Sequence, residues 1–102
     1  MYLGKLMKQA QMMQKNIQKV EKELNESVYD GYASNKDIHV AINGAHEVVS
    51  IEINEELLEK DNKDILQDLL KIALNEANTL AKKDKEAKTK DLTGGVSIPG
   101  LF

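Results

Sequence analysis

The stretch IHVAINGAHEVVSIEI, residues 38–53, decides the fold. Ile38, Val40 and Ile42 alternate with polar or small residues. Asn43-Gly44 then supplies the strongest short-range turn signal, and Val49, Ile51 and Ile53 alternate with Ser50 and Glu52. Successive side chains on a strand point to opposite faces, so this pattern predicts an antiparallel hairpin with one apolar face. Immediately upstream, Val28 and the Tyr29/Tyr32 pair flank Asp30-Gly31 in a β-prone run that ends in the turn chemistry of Ser34-Asn35-Lys36. The expectation for residues 27–54 is a three-stranded antiparallel meander, which needs a cover for its apolar face.

Both flanks of the meander carry helical periodicity. From Leu3 to Leu24 the apolar residues fall at 3, 6, 10, 13, 17, 20 and 24, alternating steps of three and four. This predicts a long helix over residues 1–26 with a coiled-coil-like seam, extended enough for part of it to project from a small body. Lys8, Lys15 and Lys22 fall opposite the seam, with Lys5 and Lys19 beside them, while Met7 and Met12 sit off it. On the other side, Glu55–Leu58 suits a short helical turn and Asp61 or Asn62 suits an N-cap. Ile65, Leu66, Leu69, Leu70, Ile72, Ala73, Leu74, Ala77, Leu80 and Ala81 then form a wide apolar face. Residues 55–90 are expected to be this helical cover, its Lys82–Lys90 end solvated, and residues 91–102 a tail punctuated by Gly94-Gly95 and Pro99. The fold class is therefore α+β, an α-β-β-β-α chain of one domain spanning residues 1–102.

Composition narrows the function. The chain has 102 residues, no Cys and a formal net charge of −3, from 14 Lys+Arg and 17 Asp+Glu. Without Cys there are no disulfides and no thiolate nucleophiles or ligands. Lysines interrupt the N-terminus where a signal peptide needs an apolar core, and no apolar run reaches bilayer length, so the expected location is the cytoplasm. His39 and His46 have no helical i, i+4 partner, no phosphate-binding glycine loop is present, and none of the acids is singled out as a general acid–base pair. An enzyme, a metal or a cofactor is not expected, nor a small-molecule substrate or a membrane partner.

The net charge conceals a segregation. Residues 1–26 hold five lysines against three acids, residues 27–78 four against eleven, and residues 79–102 five against three. No acid precedes Glu21, although cations at a helix N-terminus oppose its macrodipole. The candidate nucleic-acid-binding residues are Lys5, Lys8, Lys15, Lys19 and Lys22 at one end and Lys82, Lys83, Lys85 and Lys88 at the other. Every basic residue is Lys. Lysine engages phosphate as a point charge and lacks the guanidinium fork that reads guanine, so any base reading falls to Gln9, Gln11, Gln14 or Asn16 and sequence preference should be weak.

Four separated blocks carry a family resemblance: LGKLMKQAQMMQ at 3–14, VAINGAHEVVSIEI at 40–53 with Leu57-Leu58, LLKIALNEA at 69–77, and LTGGVSIPGL at 92–101. Together they resemble the YbaB/EbfC family of bacterial nucleoid-associated proteins. The resemblance implies a tweezers-like homodimer joined through sheet and helices, with protruding helices that engage double-stranded DNA. It further implies a role in nucleoid organisation and regulation of gene expression, without catalysis or cofactor. An alternative from the residues alone is a dimeric protein-interaction adaptor whose helical arms hold a polypeptide, with Met7, Met12 and Met13 as an adaptable contact.

Overall fold

The computed structural model describes residues 2–93 and has the order α1 (Tyr2–Glu26), β1 (Val28–Ala33), β2 (Ile38–Asn43), β3 (Val48–Ile53), two 3-10 turns (Glu55–Leu57 and Lys60–Asn62) and α2 (Lys63–Thr93). The expected α-β-β-β-α order is present. Helix α2 ends at Thr93, three residues into the expected 91–102 tail, and the rest of that tail, 94–102, lies outside the described residues.

The strands pair antiparallel in the order β1-β2-β3. Tyr29, Gly31 and Ala33 oppose Ile42, Val40 and Ile38, and Ile38 and Val40 oppose Ile53 and Ile51. These pairs form the apolar face that alternation predicted. The hairpin is less regular than its sequence: Ala41 faces Ser50 but Ile42 faces Val48, so Val49 is an extra residue in a bulge. At the β2–β3 turn the Asn43 carboxamide oxygen accepts from the Ala45 and Glu47 amides, both at 3.0 Å. The β1–β2 turn places Ser34, Asn35 and Lys36 at φ of 54°, 54° and 71°. Three left-handed non-glycine residues cost roughly 1–2 kcal/mol each, and Asp37 offsets this. It accepts from Ser34 Oγ at 3.2 Å and from Asn54 Nδ2 at 3.0 Å, tying the turn to the end of β3.

Helix α2 lies across β1 and β2. Ile38, Val40 and Ile42 are its largest fully buried neighbours, and Ala73, Ala77 and Ala81 its own buried residues. Each buried Ile or Val contributes about 1.5–3 kcal/mol of burial. Alanines on the helix let the two backbones approach, and Gly31 in mid-strand makes the closest approach, beneath Ala73 and Ala77. Helix α1 joins at the other end. Ser27 N–H donates to Glu23 O at 3.0 Å, Gly44 N–H donates to Ser27 O at 3.1 Å, and Leu24 is buried. Burial then fades toward the N-terminus: Ile17 and Val20 are half-buried and every residue from Tyr2 to Asn16 is exposed. The first half of α1 is an arm, and the molecule measures 72 × 20 × 19 Å.

One polar link ties the sheet to the far half of α2. Tyr29 O–H donates to Asp84 Oδ2 at 2.6 Å, and Lys88 Nζ donates to the same carboxylate at 3.0 and 3.3 Å. Partial burial, then the Asp84 hydrogen bond, push the Tyr29 phenol up to about 12, and the same hydrogen bond followed by Lys88 hold Asp84 below its usual range. The raised phenol favours the folded state while neutral, and that contribution is lost as pH climbs from the ordinary value of about 10 toward 12. In an ultraviolet alkaline titration one of the three tyrosines therefore ionises near 12, and Tyr29→Phe removes that step.

Candidate nucleic-acid interface

The α1 lysines form a row because seven residues are close to two helical turns. Lys8, Lys15 and Lys22 are exposed on the side of α1 turned away from Ile17, Val20 and Leu24, which face the body. Lys5 and Lys19, also exposed, flank that row. Gln11, Gln14 and Gln18 line one side of it, forming with Lys15 a shallow groove of about 270 Å³. No acidic side chain stands in the first turn of α1, so nothing local neutralises the row at its tip.

The second cluster is divided. Lys82 and Lys83 are exposed on the side of α2 opposite its buried face, and Lys90 joins them. Lys85 is half-buried on a flank. Lys88 turns inward, paired with Asp84, so the 82–90 segment is not uniformly solvated as its composition suggested. Helices α1 and α2 meet along a cleft of about 380 Å³ lined by Asn16, Lys19, Val20, Glu23, Lys88, Asp91 and Leu92. That cleft brings Lys19 and Lys88 together, but Glu23 and Asp91 balance them. Within one protomer the structure thus gives two exposed lysine faces, one on each of the paired helices, with a charge-balanced seam between the helices.

The outer face of the sheet holds a cluster around His39, for which the sequence showed no partner. His39 Nε2–H donates to Asp30 Oδ1 at 2.7 Å, Glu52 Oε2 lies 3.7 Å from Nδ1, and the ring stacks on Tyr32 with centroids 4.6 Å apart. Lys36 Nζ lies 5.6 Å from the Tyr32 centroid. The pairing register that sets Tyr32 opposite His39 and His39 opposite Glu52 was the available signal. The hydrogen bond to Asp30, outweighing the effect of burial, raises the His39 pKa. Its protonated form is favoured in the folded state, so the contribution is complete below the ordinary value of about 6.5 and disappears as pH rises through the raised one. Thermal melts of wild type and His39→Gln should differ most below the ordinary histidine value, and the difference should shrink as pH rises through the raised one.

Among the described residues no three or more His, Cys, Asp or Glu side chains are grouped to hold a metal ion, and no helix is long and apolar enough to cross a membrane.

Comparison with known proteins gives a consistent result. Residues 1–96 match the sequence profile described as the YbaB/EbfC DNA-binding family. A nucleoid-associated protein of Clostridium novyi is 39% identical over 102 residues, covering 100% of this chain and 90% of its own. One from Chloroflexus aurantiacus is 42% identical over 97 residues, covering 95% of each. An uncharacterized protein of Helicobacter pylori, solved as a crystal structure, superposes with a TM-score of 0.73 at 22% identity, over 89% of this chain and 92% of its own. That likeness bears on the fold.

Proposed function

Because the chain belongs to the YbaB/EbfC DNA-binding family, whose members named above are nucleoid-associated proteins, we propose that it is a DNA-binding component of the nucleoid and not an enzyme. In finer detail, it acts as a homodimer that grips double-stranded DNA through the phosphate backbone with little sequence preference, and so contributes to nucleoid organisation and gene regulation.

The observation that carries the DNA reading is the exposed row Lys8, Lys15 and Lys22, which runs from the projecting arm to the base of α1 with no acid before Glu21. The row spans about 21 Å, the rise of roughly six base pairs. Lys5, Lys19, Lys82, Lys83 and Lys85 add positive charge around it, and Lys88 contributes less because Asp84 already holds it. Without Arg, recognition rests on charge and shape, with Gln11, Gln14 and Gln18 as the groups placed to touch base edges.

Support for the homodimer comes from β3. Helix α2 covers β1 and β2, yet on the same face Val48 and Ile51 remain 51% and 49% exposed. The outer edge of β3 also has no partner strand among the described residues. An apolar edge strand of this kind pairs or aggregates unless covered. A second copy approaching this edge hides both the backbone groups and the apolar side chains.

Duplex binding measured against salt tests the proposal. Two rows of three lysines neutralise about six phosphates, so affinity for random-sequence duplex should fall about 10³-fold between about 50 and 200 mM salt. Absence of binding at low salt would overturn the DNA reading and favour the adaptor alternative, in which the arms hold a polypeptide.

A further inference from the structure

We propose that the apolar stripe of the α1 arm is a self-association surface, which packs antiparallel against the same stripe of a second copy and thereby links one dimer to the next. The linking of dimers rests on the homodimer reading above; the arm contact does not.

The stripe consists of Leu3, Leu6, Ala10 and Met13. It continues the seam whose lower part, Ile17, Val20 and Leu24, is covered by the body. Its own large residues are open, with Leu3 71%, Leu6 45% and Met13 40% exposed. DNA does not cover it, because Lys8, Lys15 and Lys22 lie on the opposite side of the helix. A duplex held by the lysine row leaves the stripe in water, so its occupant is protein.

The chain itself fits. Turned antiparallel about Lys8, two arms place Leu3 opposite Met13 and Leu6 opposite Ala10, at the a and d positions whose knobs enter facing holes. Leu6 against Ala10 sets a large residue on a small one, as interdigitated packing requires. The stripe's neighbours Gln9, Gln14 and Met7 are uncharged, and in this register Lys5 faces Gln11 rather than another lysine. A partner chosen for the lysines would need acids on this side, and the arm offers acids no nearby cation except Lys5. Four layers make a weak contact. On DNA, where neighbouring dimers are held close, the effective concentration is high and a weak contact suffices to connect them.

Sedimentation velocity on the full chain, from low micromolar to near-millimolar protein, tests this with wild type, Leu6→Glu and Ile51→Glu. Wild type should pass from dimer to tetramer and larger species. Leu6→Glu should stop at the dimer with an unchanged melting temperature, since among the described residues Leu6 is not part of the core cluster. Ile51→Glu should leave arm-linked pairs that the added Leu6→Glu change abolishes. Because the chain has no native Cys, oxidising a mixture of Leu3→Cys and Met13→Cys chains reports orientation. Antiparallel packing crosslinks unlike chains and parallel packing crosslinks like chains, which would overturn the register. A wild type that remains a dimer at every concentration and on saturated duplex, or a Leu6→Glu variant that assembles as wild type does, overturns the arm contact. If Ile51→Glu leaves assembly intact while Leu6→Glu gives monomers, the β3 homodimer fails and the arm contact stands.

Discussion

Replacing Lys8, Lys15 and Lys22 together by Glu abolishes duplex binding while leaving the protein folded. The three side chains are exposed on the outer side of α1 and make none of the contacts that hold Leu24, Ser27 and Gly44 together at its base. Reversing them therefore shifts the melting temperature by no more than a few degrees, the scale of about 1 kcal/mol in a domain of this size. The effect on DNA is of another order. In a dimer, six attractions to phosphate become six repulsions, and the loss exceeds about 10³-fold at about 50–100 mM salt. Electrophoretic mobility or fluorescence anisotropy against random duplex reads the loss, and circular dichroism reads the fold. The same exchange at Lys82 and Lys83 separates the two lysine faces. If it costs as much as the α1 triple, both faces meet DNA; retention of binding by the α1 triple would exclude α1 as the surface.

Gly31→Ala costs about 3 kcal/mol or more, with the mechanism fixed by what stands above the strand. A methyl group at Gly31 would overlap the carbonyl oxygen of Ala73 and lie 2.8 Å from the Ala77 amide nitrogen. Both are backbone atoms of a helix interior, so no rotamer change clears the space and α2 must lift off β1. Chains of this size have about 5–15 kcal/mol of stability in total, and much of it is lost. Shortening Ala73 to Gly should give no rescue, because the obstacle is the carbonyl and not the side chain. Gly4→Ala is the control: nothing lies within 4 Å there and the residue is in an exposed helix, so stability rises by up to about 1 kcal/mol. Urea denaturation of the three variants reads these differences directly.

The contrast between these glycines indicates what the sequence makes legible. Period and turn chemistry are local, so the 3–4 spacing of α1, the alternation of β2 and β3 and the Asn43-Gly44 turn were readable in order and type. Resemblance supplied the family. Features that depend on two distant segments were not readable. Gly31 appears in the sequence as a weak point in a strand, and only α2 overhead explains it. Tyr29 and Asp84 are 55 positions apart and carry no shared signal before the fold joins them. The bulge at Val49 hides within a run that alternates well enough from Val49 onward. For the candidate site, the α1 lysine row was legible because it obeys helical period. The division of the second cluster was not, since the lysines of 82–90 read as one solvated group until Asp84, one turn before Lys88, claims that residue. His39 showed no partner in the sequence because Asp30 and Glu52, the carboxylates that bracket it, come from two neighbouring strands.

The gradient of burial along α1 has a kinetic consequence. Starting an isolated helix is the slow and costly step, and a free segment as short as the arm would be marginal in water. Here the base of α1, held by Leu24 and the Ser27–Gly44 link, is already helical, so the arm grows from an existing turn. Elongation takes on the order of nanoseconds per residue. The tip can therefore unwind and rewind many times during a single encounter with DNA while the sheet and α2 stay intact. Backbone amide exchange should accordingly be fastest at Leu3 and slow progressively toward Leu24, and what binds the arm selects a helix that never has to nucleate.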